Sequence, residues 1–238
     1  MQIRIGIENN FDGRSLAWAL DYPGCFAYGA DQAEALIRLP RALLKYEAWI
    51  NVHTQQPWVQ FDDFDLRVVD SFTAFSIDEN YQPVPVGQGY EIGAWFLDDW
   101  RPLSELEIER GLLIFQWQRE ELLAGLSTLS TEILEKQRAG ERWNILGIVK
   151  HIANAELWYL SRMALTSLTR KNLLPDPTAR LEQTAVQVRT VFPKFIDKVK
   201  VIGIDGEFWS YRKILRRTFW HQRDHIDHIK SLVFNEID

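Results

Sequence analysis

The chain has 238 residues, 46% of them hydrophobic and 25% charged, with ten Trp and thirteen Phe. This is the composition of an ordinary globular protein, and the length suits one large domain or two average ones with a sizeable core. A net charge of −6 and a pI near 5.5 argue against non-specific binding to nucleic acid or anionic membranes, which basic patches drive.

The single cysteine, Cys25, excludes an internal disulfide. Met1 to Gly6 carries no apolar core of signal-peptide length, and no stretch approaches the roughly 18 uninterrupted apolar residues of a membrane span. The expected location is the cytoplasm, with no membrane or nucleic-acid partner.

The first half reads as strands around one helix. Ile3, Ile5 and Ile7 alternate within Gln2 to Glu8, the period of a half-buried strand. Asn9-Asn10 and Asp12-Gly13 are turn chemistry. Ser15 to Tyr22 and Cys25 to Tyr28 are further strands, separated by Pro23-Gly24. Asp31, with Glu34 three residues on, predicts a helix N-terminus, and the apolar spacing carries that helix to Asn51, with a kink at Pro40. Trp58 to Phe61, Leu66 to Phe75 and Tyr90 to Leu97 are the remaining strand candidates, with Gln82 to Gly89 as a loop.

From Pro102 the period becomes helical. Four amphipathic segments follow: Leu103 to Leu126, Asn144 to Ser161, Thr178 to Ile196 and Ser210 to Phe234. Ala139-Gly140, Pro175-Asp176-Pro177 and Gly203 to Gly206 separate them, and Pro193 can end the third early. Four helices on short links predict a bundle. The fold class is therefore α+β with two domains: a small sheet-plus-helix domain over residues 1–100 and a four-helix bundle over residues 103–238.

The chemistry concentrates in the last helical segment. His221 and His225 are four residues apart, so both imidazoles fall on one helix face. Ile214, Thr218, Ile229 and Leu232 share that face, which makes it the inward one. His151 shares a face with Ile148, Ile152, Ala155 and Tyr159 on the second segment. Buried imidazoles need a cation or a polar network to satisfy them. Neutral imidazole suits zinc, nickel, copper or iron. Three protein ligands leave a coordination position open, as catalytic sites do.

Trp143 to Ile152, Glu156, and Arg216-Arg217-Thr218-Phe219-Trp220-His221 with His225 resemble the DinB-like superfamily. The resemblance runs from Leu103 to the C-terminus. It implies a four-helix bundle, often dimeric, that acts as a metal-dependent enzyme. It selects His151, His221 and His225 as ligands of a divalent transition metal, zinc or nickel first, with iron or manganese as further options. His228 falls beside the ligands as a supporting residue, with ligation as the alternative. Relatives include thiol-dependent transferases and isomerases. The implied activities are therefore hydrolysis by an activated water, or transfer of a small-molecule thiol.

Other residues near this motif keep two readings each. Asp224 and Asp227 either orient a ligand imidazole or are solvated acids. Glu156 lies off the ligand face and reads as an ion-pair partner. Tyr159 and Arg162 either line a pocket or serve as packing and rim. No general base stands out.

In the first half, Asp21-Tyr22-Pro23-Gly24-Cys25 followed by Gly29, Asp31, Glu34 and Ala35 resembles the HicB-like antitoxin domain over about residues 1–50. No DNA-binding module follows, so antitoxin function does not carry over. The second functional reading is a metal-stabilised, non-catalytic protein that uses this domain to bind a protein partner.

Overall fold

The computed structural model describes residues 1–234; the last four positions of the 103–238 segment lie outside them. The protein is mixed α and β and divides into two compact units, residues 1–101 with 199–213, and residues 102–198 with 214 onward.

In the first unit, β1 (Gln2–Phe11), β2 (Arg14–Ala19), β3 (Phe26–Gly29) and β4 (Asp65–Thr73) form a sheet in the order β3-β2-β1-β4, with β4 parallel to β1. Ile3, Ile5 and Ile7 are fully buried, as their alternation predicts. The β1–β2 turn is narrower than expected. Asn9 and Asn10 stay in the strand, and Asp12 and Gly13, at φ 48° and 72°, close a two-residue hairpin. Gly6 sits under Phe96, where a Cβ would stand 2.8 Å from the ring.

Helix α1 (Gln32–Asn51) is capped by Asp31, whose Oδ1 accepts from the Glu34 amide at 2.8 Å, and Pro40 lies inside it. Strands β5 (Phe75–Ile77), β6 (Pro83–Val84) and β7 (Tyr90–Ile92) make a second, small sheet. Trp58 to Phe61 is not a strand; Val59 and Phe61 are buried from irregular backbone. The last expected strand is shorter than predicted, because β7 stops at Ile92 and Leu97–Trp100 form a 3-10 turn.

Residues 203–206, expected as a plain link, belong to a hairpin. Strands β8 (Val201–Ile204) and β9 (Glu207–Ser210) pair antiparallel around Asp205-Gly206, at φ 53° and 76°. This hairpin groups with the first unit. Within that unit the Lys213 ammonium is fully buried and donates to Glu207 Oε1 at 2.7 Å and to the Gly93 carbonyl at 3.2 Å. The chain therefore returns to the first unit between the last two long helices, which an unbroken 103–238 domain does not allow for.

The second unit holds α2 (Glu105–Ser127), the short α3 (Thr131–Glu135), α4 (Ile145–Arg162), α5 (Pro177–Val191) and most of α6 (Tyr211–Phe234). Helices α2, α4 and α5 start on side-chain caps. Ser104 and Glu107 form a reciprocal capping box, while Asn144 and Asp176 accept from the amides of Gly147 and Ala179. Pro193 falls in a 3-10 turn at Phe192–Phe195, so α5 ends at Val191. Leu122, Ile148, Ile152, Leu181, Ile226 and Ile229 bring α2, α4, α5 and α6 into one core. Among the described residues no helix is long and apolar enough to cross a membrane.

Candidate metal centre

Helices α4 and α6 bring the three predicted histidines together. His221 Nε2 lies 3.0 Å from His151 Nε2 and 3.1 Å from His225 Nε2. The one-turn offset of His221 and His225 puts their ring centroids 4.3 Å apart, and His151 approaches from α4 at 4.8 and 4.9 Å. Trp143, just before the α4 cap, stacks on His151 at 4.6 Å with the rings 26° apart, which orients that imidazole. Tyr159 is buried and stands edge-on to His221 at 6.0 Å.

The protonation states follow from burial. Desolvation holds the His221 pKa well below the ordinary value, and the charges of His225 and His151 add to the effect. His225 is lowered to about 3, first by desolvation and then by His151 and His228. His151 is lowered by desolvation and by the charges of Arg142 and Arg170. All three imidazoles are therefore neutral at pH 7, the state in which they ligate.

The arrangement fits one ion better than it fits a hydrogen-bond network. The three neutral rings share too few protons: His221 Nε2 faces two neighbours about 3 Å away and carries at most one hydrogen. His225 Nδ1 is buried without a hydrogen-bond partner. Two nitrogens each about 2.1 Å from one ion would stand roughly 3.0 to 3.4 Å apart for bond angles between about 90° and 109°. The three atoms could hold a metal ion, and among the described residues no carboxylate or thiolate joins them. An all-imidazole donor set suits a borderline transition metal and not magnesium or calcium.

The other candidates lie further out. His228 is 6.3 Å from His225, centroid to centroid, and its Nε2 lies 3.1 Å from Glu141 Oε2. Asp224 is half-buried on α6. Asp227 is exposed and stands 3.6 Å from Arg223. Glu156 is an ion-pair partner, but a deeply buried one: it meets Arg119 and accepts from Thr184 Oγ1 at 2.7 Å.

A cavity of about 850 Å³ adjoins His151 and His221. Tyr159 lines it, and so do several residues that the sequence did not single out, among them Arg170 and Arg180. Trp143 opens the motif that carries the DinB-like resemblance. The two arginines carry no periodic signal.

A family model described as the DinB family matches residues 109–199. The match begins within α2, runs past the end of α5 and includes His151, and it does not reach His221, His225 or the HicB-like segment. A search of curated proteins found no match.

Proposed function

We propose that the second unit is a metal-dependent enzyme in which His151, His221 and His225 hold one divalent transition ion through Nε2. The observation that carries this reading is the convergence of three neutral imidazoles, His221 buried and His151 and His225 half-buried, beside a cavity large enough for a small molecule. A bound ion supplies Lewis acidity there, lowering the pKa of a water towards about 7 or stabilising a thiolate. The reaction class is hydrolysis or transfer of a small-molecule thiol to an electrophile, with zinc or nickel as the first candidates.

The protein's own residues have definite tasks in this scheme. Trp143 fixes the His151 ring, and the buried Tyr159 closes the wall beside His221. Burial keeps all three ligands deprotonated, so no proton has to leave before the ion binds. Asp224 and His228 support α6 around the ligands. Homodimerisation, implied by the DinB-like resemblance, is proposed with this reading.

The first test is metal content after expression without an affinity nickel column. The expected result is about one equivalent of a transition metal per chain, lost in His221→Ala. Well under one equivalent, with no gain on reconstitution, would sink the reading. Turnover of thiol and electrophile pairs, or of hydrolysable esters and amides, by the loaded protein then separates an enzyme from a metal-stabilised scaffold that acts through a protein partner.

A further inference from the structure

Four cations are among the residues that line the cavity beside the histidines. Lys150, Arg170, Arg180 and Arg217 face it, and among the described residues no Asp or Glu does. Three of these cations lack a counter-charge: Arg170, Arg180 and Lys150 have no carboxylate partner among the described residues. Arg180 is nonetheless held in place. Its Nε donates to the Leu174 carbonyl at 2.6 Å and Nη1 to Asn154 Oδ1 at 3.3 Å, which leaves most of the guanidinium's five N–H groups unused. Arg170 is exposed at the rim, and its charge still reaches the His151 imidazole.

Aromatic and aliphatic side chains line it as well. Trp143, Trp158 and Trp220 line the cavity, and Trp143 stacks on the ring of His151. Guanidinium groups without a carboxylate partner and indole surface beside the ligand histidines suit a ligand that joins a compact oxyanion to an apolar body.

We propose that this cavity binds an organic anion, its carboxylate or phosphate held by Arg170 and Arg180 and its apolar body laid along Trp158 towards the three histidines. The proposal deepens the enzyme reading and rests on it only for the statement that the far end of the ligand is where chemistry occurs. Arginine, a planar donor fork, matches both oxyanions, so the shared chemistry is the anion and the two sources are separated by experiment.

The test is calorimetric titration of the full chain, zinc-loaded and metal-free, with three probes of similar size: phenyl phosphate, phenylacetate and neutral benzyl alcohol. At least one anion is expected to bind tenfold or more tightly than the alcohol in both forms of the protein, and the tighter anion identifies the source. Arg170→Ala and Arg180→Ala should each weaken that anion by about tenfold, the loss of one charge-assisted contact, and leave the alcohol unchanged. Arg170 has no side-chain hydrogen bond to lose, so its variant keeps the test clean if Arg180→Ala disturbs the Leu174 segment. Equal binding of all three probes would overturn the proposal. So would anion binding that is unchanged in Arg170→Ala and Arg180→Lys, or that needs zinc and ignores both arginines. Zinc stoichiometry is measured on the same samples. If zinc fails to bind while the anion binds in an arginine-dependent way, the metal reading falls and this one stands.

Discussion

Breaking the buried ion pair beside the ligand helix should destabilise the second unit strongly and in a pH-dependent way. Arg119 on α2 and Glu156 on α4 are 4% and 2% exposed, and Thr184 on α5 completes the group. Burial pushes the arginine pKa down and the carboxyl pKa up, and the pairing opposes both. Arg119→Met removes the cation and leaves the carboxylate with the Thr184 hydroxyl, at a cost of about 3–5 kcal/mol near pH 7. The orphaned carboxyl then takes up a proton in the fold that it would not hold in the unfolded chain. Its folded pKa lies above the unfolded value near 4.5, so the penalty is smallest below about pH 4.5 and grows by up to about 1.4 kcal/mol per pH unit until the folded pKa is passed. Adding Glu156→Leu should recover most of the loss, because Thr184 still donates to the Leu181 carbonyl at 3.1 Å. Hydrogen exchange of the α4 amides reports this unit by itself, which a global melt of a chain with two compact units does not. A single substitution that costs under 1 kcal/mol, or a double variant no more stable than the single, would refute the argument.

Three more outcomes follow from the same contacts. Metal-free protein should lose stability in acid. The His225 pKa is about 3 in the fold against roughly 6.5 unfolded, so the unfolded chain binds the extra proton and stability falls between those values. That histidine alone accounts for about 2 kcal/mol at pH 5, and a melting temperature unchanged from pH 7.5 to 5 would contradict it. His228→Ala should change zinc affinity by less than about threefold, since its Nε2 is engaged with Glu141; a loss of a hundredfold by competition titration would make it a ligand. Glu121→Gln should cost about 1–2 kcal/mol at pH 7, because the carboxylate receives both Arg223 Nη1 at 3.1 Å and Nη2 at 2.8 Å. Burial opposes the charged form, yet the Arg223 and Lys230 pairings hold the Glu121 pKa at about 2. Wild-type stability from this pair is therefore present above about pH 4.5 and lost as pH falls towards 2, and the variant should lack that part of the acid transition in chemical unfolding.

What was readable in the sequence and what was not divides along one physical line. A helix turns neighbours three and four apart onto one face, so the sequence alone pairs His221 with His225 and assigns His151 to an inward stripe. The caps at Asp31, Ser104, Asn144 and Asp176 are equally local, and helix starts were placed within a residue or two. The β8–β9 hairpin was also local, since Asp205-Gly206 between apolar runs is a hairpin signal; it was passed over because it lies between two strong helical patterns. Trp58 to Phe61 failed for the opposite reason. Its apolar residues are buried without pairing, and burial alone does not make a strand.

The cavity belongs to a different class. Arg170 sits in a 3-10 turn between α4 and α5, and Arg180 in the first turn of α5. Their distance from the histidines depends on how the α4–α5 link runs, and no local period encodes that path. If the proposals above hold, the reactive end of the site was legible because helical geometry places it, and the end that selects the substrate was not because a connection places it. Substitutions at 151, 221 and 225 should then remove function outright, while substitutions at 170 and 180 should weaken the preference for an anion and leave the metal in place.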